Sequence, residues 1–377
     1  MTDKLKQLIL LLRSHLFREN IGPSFPDLST EEWDELFHLA LSHGVADFCY
    51  EGAYHSGIII PEPLRHAWRQ NMLETIESYL TLQSECLTII KTLKENHINP
   101  IILKGFSVSE LYPCPMLRKM FDIDIFITKN FYDAALILES LGYKAKKEVA
   151  IHHIEFVKDN ILVELHHTLF TPIGNKEYDE MIKLMAFTGE KPRTMVLHGN
   201  AFPILPEADF INESFGHILK HLIHDRLVLR NICDILLLLK TAGKNEFIDL
   251  YTRNIDNDLG WYLKGINSLL VHEFGLSPER TAGIPLLSRI ESETFTADMF
   301  AVSSGLTGIN KYYSSLKLGG RFKMLFYYIK AAGRGILIRY PYCRKTILLR
   351  PVAFIHAYFD YFAEFMGKVI RWRKYAK

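Results

Sequence analysis

The sequence is poor in every feature that marks a secreted, membrane-spanning or cysteine-stapled protein. Its 377 residues hold five cysteines, Cys49, Cys86, Cys114, Cys233 and Cys343, widely scattered and never spaced as CxxC. This argues against a disulfide framework and a structural zinc site, and for a reducing compartment. No apolar run approaches about 18 residues, so no membrane-spanning helix is expected. The opening MTDKLKQLILLLRSHLFREN reads as an amphipathic helix without a small-residue cleavage site, and a cytoplasmic location is expected. Internal repeats, low-complexity tracts and a base-reading motif are also missing. The formal net charge is only +1, which by itself names no partner.

What is present is an ordinary globular composition, 48% hydrophobic and 23% charged, long enough for two or three domains. The near-zero charge hides a polarity. From Arg321 to Lys377 there are 13 Lys/Arg against Asp360 and Glu364, a local +11, leaving 31 Lys/Arg against 41 Asp/Glu in the rest. Basic residues interleave with aromatics there, as in VIRWRKYAK, which suits either a solvated basic face or peripheral contact with an anionic membrane. The −10 of residues 1–320 makes nucleic acid an unlikely partner.

Helical spacing dominates residues 1–97, with Leu5, Leu8, Ile9 and Leu12 on one face. Ser29 and Glu32 form a capping-box pattern ahead of a helix that Gly44 closes. Over 98–206 the texture changes to short apolar or alternating runs. Glu148–Val157 and Ile161–His166 flank a Lys158-Asp159-Asn160 turn, and Thr194–Leu197 pairs with Ala201–Leu205 across His198-Gly199-Asn200. Helical periodicity returns over 207–377, with Arg280–Thr307 reading as a linker or mobile loop. The expected fold is α+β: a small mixed β-sheet core flanked by helical N- and C-terminal regions.

The chemistry concentrates in LKGFSVSELYPCPMLRKMFDIDIFI, residues 103–127. On a strand, Asp122 and Asp124 share a face while Ile123 and Ile125 turn into the core. Two carboxylates so close repel unless a cation lies between them, and hard oxygen donors suit Mg²⁺ or Mn²⁺. In ILVELHH, Glu164 shares a face with His166 and offers a third carboxylate, as two-metal phosphoryl transfer requires. Upstream, a strand ending at Leu103 runs through Lys104 and Gly105 into a helix expected over Ser107–Leu111. That corner lets backbone N–H groups approach a triphosphate. Lys104 adds charge there or is a solvated strand-end lysine. Arg118 is suited to clamp a phosphate or to pair with Asp122.

The ordered set of LKG, LY, Arg118, DID, LGY and VELH resembles the polymerase-β-type nucleotidyltransferase superfamily, in its bacterial branch of uncharacterised nucleotidyltransferases. The resemblance implies that Asp122, Asp124 and Glu164 are catalytic metal ligands and that Gly105 and Ser107 hold nucleotide phosphates, with a helical segment after the core. It implies transfer of a nucleoside monophosphate from an NTP, ATP by default, to an unidentified acceptor hydroxyl or phosphate, releasing pyrophosphate. One departure stands out: the superfamily glycine is usually followed directly by Gly or Ser, whereas Phe106 intervenes here. The alternatives are a nucleotide-binding regulatory module without turnover, or a membrane-associated factor of a surface-polysaccharide or peptide pathway.

His217, His221 and His224, followed by Asp225, fall at i, i+4, i+7 on one helical face. They read as a metal or phosphohydrolase set or, as we favour, as part of a helix lining the nucleotide cleft, with His221 facing it and Arg230 pairing with Asp234. One of His152 and His153 shares the carboxylates' side of the sheet, to touch substrate or to pack. The charge asymmetry makes a separate prediction. The protein should co-sediment with anionic vesicles more than with neutral ones through Arg321–Lys377, since each basic residue near such a surface contributes about 1 kcal/mol. About 0.5 M salt should largely reverse the binding. Equal binding to both vesicle types, or none at low salt, assigns the basic face to solvent.

Overall fold

The computed structural model describes residues 2–146, 153–170, 178–180, 182, 187–224, 227–241, 258–281, 285–300, 347–349, 351–353 and 355–356. The early part of the Glu148–Val157 strand, His152, Asp225, Cys343, the side chains of His221 and His224, and nearly all of Arg321–Lys377 lie outside the described residues. No helix among the described residues is long and apolar enough to cross a membrane.

Four helices lead the chain: α1 (Asp3–Phe17), α2 (Thr30–Ser42), α3 (Ala46–His55) and α4 (Leu64–Glu95). The Ser29 hydroxyl accepts from the Glu32 N–H while the Glu32 carboxylate accepts from the Ser29 N–H, so the capping box is complete. The 32-residue α4 buries Trp68 near its start and Tyr79, Cys86, Ile89 and Leu93 further along, a helical stripe that two apolar clusters share. Trp68 belongs to a cluster made largely by helices, the later residues to one on a sheet face. One long helix therefore ties the helical half to the sheet.

The sheet elements are β1 (Pro100–Ile102), β2 (Asp122–Ile127), β3 (Lys144–Ala145), β4 (His153–Lys158), β5 (Ile161–His166), β6 (Arg193–Leu197) and β7 (Asn200–Ile204). They form one seven-stranded mixed sheet in the order β3-β4-β5-β2-β1-β7-β6. The β2–β5 and β1–β7 pairs are parallel, the others antiparallel. Both expected hairpins form. Their tips use Asp159 and Asn160 (φ 47° and 65°) and His198 and Gly199 (φ 49° and 78°), the left-handed pairs that match strand twist.

Between these strands lie α5 (Lys104–Ser109) and α6 (Phe131–Ser140); after them come α7 (Glu207–His224), α8 (Leu229–Thr241), α9 (Asp258–His272) and α10 (Arg289–Phe300). The helix after β1 thus begins at Lys104, earlier than the Ser107 start expected. The stretch Arg280–Thr307 is not a simple linker, because α10 lies within it. Its start is set by Ser288, whose N–H and hydroxyl both donate to Glu291 while its oxygen accepts from the Glu291 N–H. The four-residue box SRIE outweighs the Gly, Ser and Thr content that suggested a loop.

The α1–α3 crossing is unusually close. A Cβ on Gly52 would lie 2.1 Å from the Leu11 carbonyl oxygen, and the Ser14 hydroxyl donates to the Gly52 carbonyl at 2.8 Å. Gly52→Ala should therefore force the helices apart and lower stability by about 3 kcal/mol, near the top of the usual overpacking range. Chemical denaturation measures this; a loss below about 1 kcal/mol would show that the crossing yields readily.

Candidate active site

Strand register builds the site. Asp124 lies opposite Glu164 in the parallel β2–β5 pair, and His153 lies opposite His166 in the antiparallel β4–β5 pair. Alternation then puts Asp122, Asp124, Glu164 and His166 on one face, with Ile123, Ile125, Val163 and Leu165 fully buried on the other. The carboxylate oxygens of Asp122, Asp124 and Glu164 all lie within 4.8 Å of one another. The triad expected from the sequence is thus one constellation.

Lys104 and His166 complete it. Lys104 Nζ donates to Asp124 Oδ1 at 2.9 Å and lies 3.7 Å from Glu164 Oε2. His166 Nε2 is 2.8 Å from the same Asp124 oxygen and 3.2 Å from Glu164 Oε2. Lys104 is no solvated strand-end lysine. Its backbone takes φ 36° at the strand–helix corner, a conformation unfavourable for a residue with a Cβ, and it lines a small cavity with the buried Glu213 of α7.

Electrostatics divide the carboxylates. Burial works to raise the Asp124 carboxyl, but Lys104 and His166 together hold it well below the usual range. Asp122 has no such partner, and burial, then the like charges of Asp124 and Glu164, push it up to about 7. His166 is disfavoured as a cation by burial and by Lys104, yet its bonds to Asp124 and Glu164 raise its pKa overall. His153, buried and facing His166 and Lys104, is pushed down to about 3.

Two expected residues point elsewhere. Arg118 is buried, with Nε 2.9 Å and Nη2 2.7 Å from the two Asp234 oxygens, and the Tyr112 hydroxyl donates to Asp234 at 2.6 Å. It neither pairs with Asp122 nor presents its guanidinium as a phosphate clamp. It fastens the 110–121 segment to α8. Asp234 consequently does not pair with Arg230 as helical spacing suggested; Arg230 donates to the Lys119 carbonyl at 2.8 Å and stacks on Phe121. A bidentate buried partner outcompetes an i, i+4 neighbour. Ser107 is 1% exposed and its hydroxyl donates to the Lys104 carbonyl at 2.9 Å, inside the helix. Gly105 lies against Met120, whose Sδ would be 2.8 Å from a Cβ there.

Sequence reading missed Glu213. It sits at i, i+4, i+7 with His217 and Lys220, a polar stripe along α7 that the histidine spacing alone obscured. Glu213, His217 and Lys220 line a cavity of about 20 Å³ together with Lys104, His166 and Tyr178, room for about one water beside the carboxylates.

The sequence matches the family described as uncharacterised nucleotidyltransferase over residues 29–257, more than half of the chain and all of the triad. The chain belongs to this family. A solved structure of an antigenic nucleotidyltransferase-like protein from Paracoccidioides brasiliensis is also similar, at 18% identity and a TM-score of 0.35, covering 58% of this chain and 96% of that one. That overlap is too slight to bear on fold or chemistry. No curated protein matches the sequence.

Glu213 gives the site a pH signature. Burial raises its carboxyl to about 7, with Asp124 adding and Lys104 and His166 opposing. The folded state then holds a proton that the unfolded chain releases near pH 4.5, so stability falls as pH rises from about 4.5 to about 7. Glu213→Gln should remove up to about 3 kcal/mol of that fall. Denaturation midpoints for both proteins across pH 4.5–8 check this; parallel curves would place the Glu213 titration at its ordinary value.

Proposed function

We propose that this nucleotidyltransferase-family chain moves a nucleoside monophosphate from an NTP, with ATP as the default donor, to an acceptor hydroxyl or phosphate. The observation that carries the reading is the convergence of Asp122, Asp124 and Glu164 in a chain of this family. Their donor set is all hard carboxylate oxygen, and like-charge crowding at Asp122 is the condition a divalent cation relieves, so the residues fit Mg²⁺ or Mn²⁺. Bound there, such an ion would supply Lewis-acid neutralisation of phosphate charge.

The protein's own groups would act as follows. Asp122 and Asp124 hold the cation side of the site. Glu164 faces the acceptor and accepts its proton as the acceptor oxygen bonds to the α-phosphorus and the bond to the leaving pyrophosphate breaks. Lys104, already ion-paired with Asp124, is placed to balance charge that accumulates on the phosphates. Phe106, standing after Gly105 where the superfamily carries Gly or Ser, favours the second reading, a module that binds nucleotide without turnover. Incubating labelled NTPs with the protein and cell extract, and assaying for pyrophosphate and a nucleotidylated product, separates the two.

Repulsion alone predicts that Asp122→Asn and Asp124→Asn both abolish transfer and leave the fold intact. The structure distinguishes them. Asp122→Asn should be neutral or stabilising in the ion-free protein. Asp124→Asn strips the charge from the partner of buried Lys104 and His166 and should cost about 3–5 kcal/mol, as breaking buried pairs does. Glu164→Gln should slow turnover severely with nucleotide binding largely kept. Calorimetry and turnover on the three variants test the assignment, and full activity in any one removes that residue from the chemistry.

A further inference from the structure

Beside the three carboxylates lies a second group of potential ligands with a different chemistry. The ligand atoms of His153, Glu164 and His166 fall within 4.8 Å of one another, on the adjacent strands β4 and β5. Glu164 Oε2 is 3.3 Å from His153 Nδ1 and 3.2 Å from His166 Nε2. Two ligands each about 2.1 Å from a tetrahedral ion sit about 3.4 Å apart, so both edges match the spacing of a coordination shell. The two rings are tilted by 59° with centroids 5.0 Å apart, which directs two nitrogens toward one carboxylate without stacking the rings. Asp124 Oδ1, 2.8 Å from His166 Nε2, stands within reach as a fourth donor.

We propose that His153, Glu164 and His166 form a site for a divalent transition ion, Zn²⁺ or Co²⁺, next to the oxygen-only triad and sharing Glu164 with it. Two imidazoles and a carboxylate prefer borderline ions over Mg²⁺, which demands hard oxygen ligands and retains its waters. The placement follows from the fold. His153 is opposite His166 in the β4–β5 register, and Glu164 is two positions before His166 on the same face, so the ladder itself fixes all three. Their side chains are 8%, 14% and 2% exposed, with Glu164 the most open of the three. An ion there replaces the ammonium charge that Lys104 now presents to Asp124 and Glu164. The inference depends on the proposed function only through the shared Glu164, because ion binding needs no nucleotide.

The test is a Co²⁺ titration of the full chain, metal-stripped and without nucleotide, followed by visible absorption and calorimetry with Zn²⁺ in competition. The expected result is one Co²⁺ per chain with a ligand-field band, displaced by Zn²⁺ but not by a large excess of Mg²⁺. His153→Ala and His166→Ala should each weaken binding at least about tenfold. Asp122→Asn should retain it. Should the alanine variants fail to fold by circular dichroism, His153→Gln, close to the ring in size but a poor transition-ion ligand, replaces them. Binding unaffected by the His153 substitutions, lost in Asp122→Asn, or reversed by Mg²⁺ would put the ion on the carboxylates alone and overturn the inference. A chain that binds Co²⁺ in this way and transfers no nucleotide keeps the inference and loses the proposed function.

Discussion

Everything at the site depends on how Asp124 keeps its charge. It is 3% exposed, and an isolated carboxylate so placed would neutralise itself or unfold its strand. Lys104 and His166 prevent this by sharing one Asp124 oxygen, and the two side chains come from opposite directions in the chain. Lys104 arrives from the corner after β1, His166 from the end of β5. The parallel β2–β5 ladder brings Glu164 alongside, so the same two side chains serve a second acid. Asp122, one pleat away at the mouth of the strand, is left to carry the unbalanced charge. The triad is therefore not three equivalent ligands but a neutralised pair and one half-buried, reluctant anion.

The corner that delivers Lys104 is itself held by the helices that follow the sheet. Lys104 lines a small cavity with Glu213 of α7, and the segment beyond it is fastened to Asp234 of α8 by Arg118 and Tyr112. Buried side chains of α1, α3, α8 and α9 share an apolar cluster with Leu103, Val108 and Phe126. The carboxylate face of the sheet consequently looks toward helices from both ends of the described chain. Position is transmitted to the site through packing and ion pairs rather than through the glycine corner alone.

These relations explain which parts were legible in the sequence. Alternation of DIDIFI and ILVEL fixes the faces of Asp122, Asp124 and Glu164 without knowledge of topology, because the period of a strand is local. The hairpins follow from Asp159-Asn160 and His198-Gly199, again local signals. Arg118 was misplaced because its partner, Asp234, is 116 residues away, and a nearer acid was on offer. Glu213 was invisible for a similar reason: nothing in ADFINESFGHILK says that it shares a cavity with Lys104. The loop expected over 280–307 failed on composition, which a single serine–glutamate cap at Ser288 and Glu291 overrides.

His166 shows how far a local reading extends. Its face was evident from spacing, but its role depends on three neighbours that no spacing supplies: Asp124 from one adjacent strand, His153 from the other, and Lys104 from the corner. As a cation it joins Lys104 in keeping Asp124 and Glu164 ionised; as a neutral ring it has a lone pair to offer at the same spot. One residue thus couples the proton state of the carboxylates to their capacity for an ion. An entering cation competes with a proton and an ammonium for the same Asp124 oxygen, so occupation of the site and the charge on His166 are linked by position alone.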